Sequence, residues 1–140
     1  MDKLYVIKIG GNIVDDEVKL ASFLESFASI NENKVLIHGG GKVATKIGEQ
    51  LGIASKYVDG RRITDAATID LVTMVYAGLI NKKIIAQLQS RSCNALGVTG
   101  ADGNLIPAVK RPVKEIDYGF VGDVKSEILK PDNWKNLINN

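Results

Sequence analysis

The sequence contains very little of two side chains that often bind metals: its 140 residues include one cysteine, Cys93, and one histidine, His38. A single cysteine excludes an internal disulfide and leaves no cysteine cluster for a structural zinc site. A single histidine excludes any metal site that needs two. We therefore predict that the chain holds no metal centre of its own.

A strong charge imbalance is also missing. Lysine and arginine total 18, aspartate and glutamate total 16, and the net charge is +2 without long blocks of one sign. The sequence therefore has no basic cluster of the kind that binds nucleic acid. The longest apolar run, Leu71 to Ile80, has ten residues, about half of what crosses a bilayer. Because the N-terminus also lacks a targeting pattern, we expect a cytoplasmic protein that binds neither nucleic acid nor membranes.

What the chain has instead is glycine, with 14 residues that often stand in groups. Gly10-Gly11 follow the apolar run Leu4 to Ile9, and Gly39-Gly40-Gly41 follow a second run that ends at His38. Nearly continuous β-branched runs are typical of buried strands in a parallel sheet. A helical pattern follows each run, and the order strand–helix–strand–helix predicts a parallel arrangement with right-handed crossovers.

The predicted fold class is therefore α/β. We expect a single domain over residues 1–140, with three α/β/α layers around a mainly parallel central sheet, and Ala95 to Val98 as a third core strand. Tyr57 to Ile63 predicts a small hairpin around Gly60. The pattern from Thr64 to Ser92 is helical, with Thr64 as its N-cap. Two apolar stripes on this helix indicate burial on more than one side, so we expect it to form a homodimer interface centred on Tyr76 and Leu79.

The two glycine turns predict an anion site. Ligands of open parallel sheets bind beyond the carboxyl ends of the strands, where both turns would lie. Glycines let backbone N–H groups approach an anion, and the following helix adds its positive end. Lys8 and Lys42 flank the turns and would add charge. The alternative for either turn alone is a plain connection between a strand and a helix.

Other known phosphate motifs fit less well. Neither turn has the spacing of a P-loop. The Gly39-x-Gly41-x-x-Ala44 spacing does match a dinucleotide fingerprint, with Asp59 near the expected downstream acid. A small non-catalytic module that binds a nucleotide or dinucleotide therefore remains an alternative function.

The basic side chains near the turns can be either structural or functional, and so can the single histidine. Lys8 is either a solvated residue of an edge strand or a cation that a rigid strand delivers to the site. Arg61-Arg62 precede a helix, where positive charge opposes the dipole. That position favours an anionic ligand, since arginine forks match carboxylates and phosphates, although a solvated surface pair is the alternative. His38 is interpreted as a packing or hydrogen-bonding residue rather than a catalyst.

Taken together, these residues resemble the amino-acid kinase family. The resemblance follows the order and spacing of five stretches: Lys8-Ile9-Gly10-Gly11, His38-Gly39-Gly40-Gly41, Gly60-Arg61-Arg62-Ile63-Thr64, Gly100-Ala101-Asp102-Gly103-Asn104-Leu105-Ile106 and Tyr118-Gly119-Phe120-Val121-Gly122-Asp123. The first two stretches occur in several amino-acid and nucleotide kinases. The later three are similar to the branch of the family that acts on N-acylated glutamate.

The resemblance implies transfer of the ATP γ-phosphoryl group to the γ-carboxylate of N-acetyl-L-glutamate in arginine biosynthesis. ATP would enter with Mg²⁺, and no cofactor would be tightly bound. The implied roles are a catalytic and phosphate-binding Lys8, phosphate-binding Gly10 and Gly11, substrate-binding Gly40 and Gly41 at the reacting carboxylate, and Arg62 on the α-carboxylate. The helix that corresponds to Thr64–Ser92 crosses its mate in homodimers of the family.

In this family the ATP-binding lobe and further catalytic residues lie downstream of the part that matches. We therefore expect this chain to be a truncated, N-terminal, acylglutamate-binding part that is inactive alone. A related kinase for another small acid remains an alternative to the acylglutamate kinase.

Overall fold

The computed structural model describes residues 3–138, so the predicted domain over 1–140 has its first two and last two residues outside the described part. The elements in chain order are β1 (Leu4–Ile9), α1 (Gly11–Val14), α2 (Glu17–Ala28), β2 (Asn33–His38), α3 (Gly41–Gln50), β3 (Lys56–Val58), β4 (Arg61–Ile63), α4 (Ala66–Val72), a π-helical segment (Thr73–Ile80), α5 (Asn81–Gln89), β5 (Ala108–Lys110), β6 (Gly122–Val124) and α6 (Pro131–Ile138). The class is α/β, as predicted.

The predicted large parallel sheet is not present in residues 3–138. Strands β1 and β2 pair in parallel, from Leu4 opposite Asn33 to Ile9 opposite His38. The other two sheets are antiparallel two-stranded hairpins. Because β1 and β2 have no further strand beside them, β1 is mostly exposed, and of its residues only Ile9 is buried.

The prediction of a third core strand at Ala95 to Val98 is wrong. This segment has no strand pairing, and an open groove of about 940 Å³ lies between it and β2. Its carbonyl groups accept hydrogen bonds from the side chains of α5: Lys82 Nζ donates to Gly97 O at 2.8 Å and Gln89 Nε2 donates to Ala95 O at 3.1 Å. The segment is thus held against a helix rather than beside a strand.

The core lies between the carboxyl end of β1 and the faces of five helical segments: α2, α3, α4, the π-helical segment and α5. Its buried side chains are Ile9, Leu20, Leu24, Phe27, Ala44, Leu71, Val75, Ile80, Ile84 and Leu88. Helix α2 supplies three of these from positions four and three residues apart, the period that places side chains on one helix face. This packing fixes the starts of α1 and α3, and therefore the two glycine turns, against the rest of the molecule.

Ala66–Gln89 is one continuous long helix made of α4, the π-helical segment and α5. Its N-cap lies one residue later than predicted, and it ends at Gln89 rather than at Ser92. Asp65 rather than Thr64 is the N-cap, and the Asp65 carboxylate accepts from Thr68 N at 2.9 Å. Thr64 is buried instead, and its backbone bonds to Tyr118 O and to the N–H of Phe120. No helix in the described part is both long and apolar enough to cross a membrane.

The predicted hairpin around Gly60 is confirmed as β3 and β4, with Tyr57 opposite Arg62. Its two loop residues, Asp59 and Gly60, have φ values of 49° and 73°. Positive φ at both positions is the geometry of a type I′ turn, which matches the twist of a two-residue hairpin. This tight turn sets the register that places Arg62 across from Tyr57.

Candidate functional site

The two glycine turns lie side by side at the carboxyl ends of β1 and β2. The parallel register that joins Ile9 to His38 brings Gly10 next to Gly39. An ion pair bridges the elements that follow, since Lys42 Nζ lies 4.0 Å from the Asp15 carboxylate. The predicted proximity of the two turns is therefore seen in the structure.

The second turn rests on the long helix. Gly40 is buried, and a Cβ at this position would overlap Ile80 and lie 3.0 Å from the ring of Tyr76. A Cβ on Gly41 would lie 3.8 Å from the Tyr76 hydroxyl. Any larger residue at Gly40 would push the turn away from the helix, so the close approach requires glycine. Tyr76 thus faces the turn, whereas Leu79 is 51% exposed.

Arg62 reaches the same turn from the β3–β4 hairpin. Its Nη2 donates to Gly41 O at 3.3 Å and to Thr45 Oγ1 at 3.1 Å, while Nη1 donates to Ser55 Oγ. The guanidinium also lies over the Tyr57 ring, 4.9 Å from its centroid. Arg61, by contrast, is exposed. Of the two arginines, Arg62 is therefore the one that lies at the glycine turn.

Sequence reasoning missed the residues around this arginine: Thr45, Ser55 and Tyr57. Thr45 was identifiable only through helix geometry, because a residue four positions after Gly41 lies above it on α3. Tyr57 was identifiable through the hairpin, since a two-residue loop at 59–60 places residues 57 and 62 opposite each other. Ser55 precedes β3 and carried no recognisable signal.

Lys8, Gly10 and Gly11 occupy the other side of the site. Lys8 is exposed; its backbone lies in the β1–β2 ladder opposite Ile37, and within residues 3–138 its side chain makes no hydrogen bond or ion pair. Gly10 is the N-cap of α1, and its carbonyl accepts from Ile13 N and Val14 N at 3.1 Å each. A Cβ on Gly10 would meet nothing within 4 Å, so this turn is open to solvent. The structure thus places the three residues on the strand and turn beside the Gly40–Gly41 turn, with the Lys8 side chain exposed.

His38 occupies a hydrogen-bonding position beside the second turn. Its Nδ1 lies 3.0 Å from Gly39 O, and its Nε2 lies 3.4 Å from Asn81 Nδ2 of α5. Asn81 is itself buried and packs against Gly97. These contacts agree with a role in holding the turn.

The groups at the two glycine turns are of the kind that binds an anion. Backbone N–H groups of the glycine turns, the Lys8 ammonium and the Arg62 guanidinium all favour negative charge. In residues 3–138 no group of three or more histidine, cysteine, aspartate and glutamate side chains is arranged to hold a metal ion.

The sequence matches the model of the amino acid kinase family over residues 3–139. An acetylglutamate kinase from Cytophaga hutchinsonii is 65% identical over 132 residues, which are 94% of this chain and 50% of that protein. One from Bacteroides thetaiotaomicron is 64% identical over 124 residues, which are 89% of this chain and 48% of that protein. The chain is thus a homologue of these kinases that spans about half of their length.

Solved structures show the same fold at low identity. The protein smu.665 from Streptococcus mutans superposes with a TM-score of 0.78 at 22% identity, over 98% of this chain and 55% of that one. An N-acetylglutamate synthase from Neisseria gonorrhoeae, solved with coenzyme A and L-arginine, gives 0.62 at 18% identity, over 97% of this chain and 33% of that one.

Proposed function

Since the chain belongs to the amino acid kinase family, we propose that it is the N-terminal, acceptor-binding lobe of an acetylglutamate kinase of arginine biosynthesis. The complete enzyme would transfer the γ-phosphoryl group of ATP to the γ-carboxylate of N-acetyl-L-glutamate. This proposal is supported by the kinases that share about two-thirds of the aligned residues. It is also supported by the position of the Arg62 guanidinium beside the glycine turn, where a carboxylate would find charge-assisted donors.

The contact between Arg62 and the glycine turn carries the proposal. N-acetyl-L-glutamate has two carboxylates, and a site that binds both needs two sets of donors a few ångströms apart. The N–H groups of Gly40 and Gly41 would receive the reacting γ-carboxylate. Arg62, whose Nη2 lies 3.3 Å from Gly41 O, would bind the α-carboxylate. The hairpin and the turn together would thus fix the orientation of the acceptor.

The donor side would be served by Lys8, Gly10 and Gly11. Phosphoryl transfer is catalysed mainly by positioning and by stabilising charge on the transferring group. A free ammonium on a rigid strand beside the acceptor turn suits that task. ATP would enter as its Mg²⁺ complex.

The working enzyme would be a cytoplasmic homodimer that pairs through the long helix. The observation that supports this interface is the exposure of Met74 (55%) and Leu79 (51%) on the π-helical segment. Single exposed apolar residues are common. Two on one segment of the same helix form a face that a second copy would cover.

Isothermal calorimetry on the 140-residue chain tests the proposal. We expect N-acetyl-L-glutamate to bind and L-glutamate to bind more weakly, because the free amine adds a positive charge. NAD⁺ is the probe for the dinucleotide alternative. Binding of NAD⁺ but not of N-acetyl-L-glutamate would replace the proposal with that alternative, and an Arg62→Ala chain that binds N-acetyl-L-glutamate as tightly as wild type would remove the arginine from it.

A further inference from the structure

We propose that Thr45 and Tyr57 are positioning residues that hold the Arg62 guanidinium ready for a carboxylate ligand, an inference that rests on the function proposed above. The three side chains come from three elements, α3, β3 and β4, and meet at one point beside the glycine turn. Thr45 Oγ1 is the centre of this group, since it contacts Gly41, Tyr57 and Arg62.

The directions of the hydrogen bonds follow from the chemistry of each group. Arginine has only donors, so Thr45 Oγ1 accepts from Arg62 at 3.1 Å. The single hydroxyl proton of Thr45 is donated to Gly41 O at 2.9 Å. Tyr57 must therefore donate to Thr45 across their 3.0 Å contact. Thr45 thus accepts from both Arg62 and Tyr57 and donates to the glycine turn, so it links the arginine to the turn.

Tyr57 restrains the same guanidinium through its ring. Tyr57 and Arg62 are register partners across the hairpin, and the Arg62 Cζ lies 4.9 Å from the ring centroid. The Tyr57 side chain is 49% exposed, so burial in the core does not explain its position. It forms a flat surface on which a planar guanidinium stacks.

The arrangement restrains Arg62 without using all of its donors. A guanidinium has five N–H groups, and the bonds to Ser55, Thr45 and Gly41 take three of them. The other two, Nε–H and one Nη1–H, have no partner within residues 3–138, so they are available to a ligand. An arginine that is already ordered loses less conformational entropy on binding. Thr45 and Tyr57 would therefore raise affinity without touching the ligand.

The test combines calorimetry with N-acetyl-L-glutamate and ¹⁵N NMR of the Arg62 Nε–H signal, assigned by its loss in Arg62→Ala. We expect Thr45→Val to weaken binding about two- to tenfold, as for one hydrogen bond. Tyr57→Leu should weaken it about two- to fivefold, as for one cation–π contact. Both should increase the mobility and solvent exchange of the Arg62 signal. Thr45→Ser should restore wild-type behaviour, and Tyr57→Phe should keep the stacking and lose only the hydroxyl contribution.

Tyr5→Leu is the matched control, since Tyr5 is an exposed tyrosine at the amino end of β1; it should change neither readout. In an Arg62→Ala background, Thr45→Val should cost nothing further. An undisturbed Arg62 signal in both variants would overturn the inference, and so would an equal affinity loss in the Arg62→Ala background. The signal needs no ligand, so a wild-type chain that fails to bind N-acetyl-L-glutamate would count against the proposed function alone.

Discussion

Arg62 differs from Arg61 because the hairpin turns only one of them toward the glycine turn. A charge-assisted hydrogen bond contributes about 1.5–3 kcal/mol, so Arg62→Ala should weaken binding of N-acetyl-L-glutamate roughly ten- to hundredfold. Arg62→Lys should rescue poorly, because an ammonium can neither stack flat on Tyr57 nor bond in a fork. Arg61→Ala is the control and should bind within about twofold of wild type. Calorimetry on the three variants checks this, and a larger loss in Arg61→Ala would contradict it.

Gly48 is a second residue whose size is fixed by its neighbours. A Cβ there would lie 2.7 Å from Leu71 Cδ2 and 2.9 Å from the backbone oxygen of Ile53. Leu71 is fully buried and the backbone cannot move freely, so Gly48→Ala should lower the free energy of unfolding by about 1–3 kcal/mol. Urea denaturation measures it. Gln50→Ala, exposed at the end of the same helix, should stay within about 0.5 kcal/mol of wild type.

At the level of single residues, the sequence predicted correctly the placement of residues that are marked by their neighbours in the chain. Glycine after an apolar run and arginine before a helix are local signals, and the structure places Gly40, Gly41 and Arg62 together. The partners of Arg62 were missed because Thr45 and Tyr57 meet only after α3 and the hairpin have folded. A hydroxyl or a tyrosine ring has no signature in sequence until its neighbour is known.

Elements were predictable where their own residues determine them. The hairpin around Gly60 was expected over residues 57–63 and lies at 56–63, and the long helix was expected over 64–92 from its apolar period and lies at 66–89. Ala95 to Val98 was mistaken for a core strand, because a short apolar run satisfies either a sheet or the face of a helix. Hydrogen bonds from Lys82 and Gln89 of α5 decide the outcome, and no feature of residues 95–98 indicates them. The π-helical stretch had no sequence signal that we can identify.

The N-cap of the long helix should make stability depend on acid. Hydrogen bonds from Thr68 hold the pKa of the Asp65 carboxyl below its ordinary value of 3.8. A carboxyl with a lowered pKa in the folded state stabilises the fold above its unfolded pKa, and that contribution is lost as pH falls from about 4 through the folded pKa. Denaturant unfolding of wild type and Asp65→Ala should therefore differ at pH 7 and converge toward pH 2.

Asp65→Asn separates charge from capping in this experiment. Asparagine keeps an oxygen that can cap the helix but does not titrate. Its free energy of unfolding should lack the acid-dependent part that wild type shows below about pH 4. A difference between wild type and Asp65→Ala that persists unchanged at pH 2 would show that the Asp65 charge has no part in stability.

At the scale of the whole molecule, we predict that two copies of the chain associate through the long helix. Met74 and Leu79 are exposed on the π-helical segment of the long helix, and a twofold contact would pair this face with itself. The double variant Met74→Glu/Leu79→Glu should shift the mass measured by light scattering at tens of micromolar from dimer to monomer, because like charges would meet across the axis. Val18→Glu, at an apolar residue that is 80% exposed on α2, is the control and should stay dimeric. A wild-type chain that is monomeric under these conditions would rule out the interface.

The predicted three-layer sheet failed at this same scale. A large parallel sheet requires strands on both sides of β1 and β2, and residues 3–138 supply none. The chain spans about half the length of the kinases it matches. The apolar pattern of β1 predicted a buried strand, whereas among the described residues β1 pairs with β2 alone and only its Ile9 is buried.

The last prediction concerns turnover. The two glycine turns, Arg62 and Lys8 lie in this chain, whereas about half of the matched kinases' length has no counterpart in it. Phosphoryl transfer requires donor and acceptor to be aligned, and alignment can contribute several kcal/mol to the rate. The 140-residue chain should therefore bind N-acetyl-L-glutamate but release no ADP above background in a coupled assay.

In a polypeptide that joins it to the remaining half of an acetylglutamate kinase, Lys8→Ala should lower kcat about 10²-fold or more, as expected for one preorganised group that stabilises transition-state charge. KM for N-acetyl-L-glutamate should change less, because the ammonium acts on the transferring phosphoryl group, and Lys19→Ala, at an exposed lysine of α2, should leave both constants unchanged. Rapid ADP release by the 140-residue chain would show that it carries a complete site, and a joined Lys8→Ala protein with near-normal kcat would remove the lysine from the mechanism.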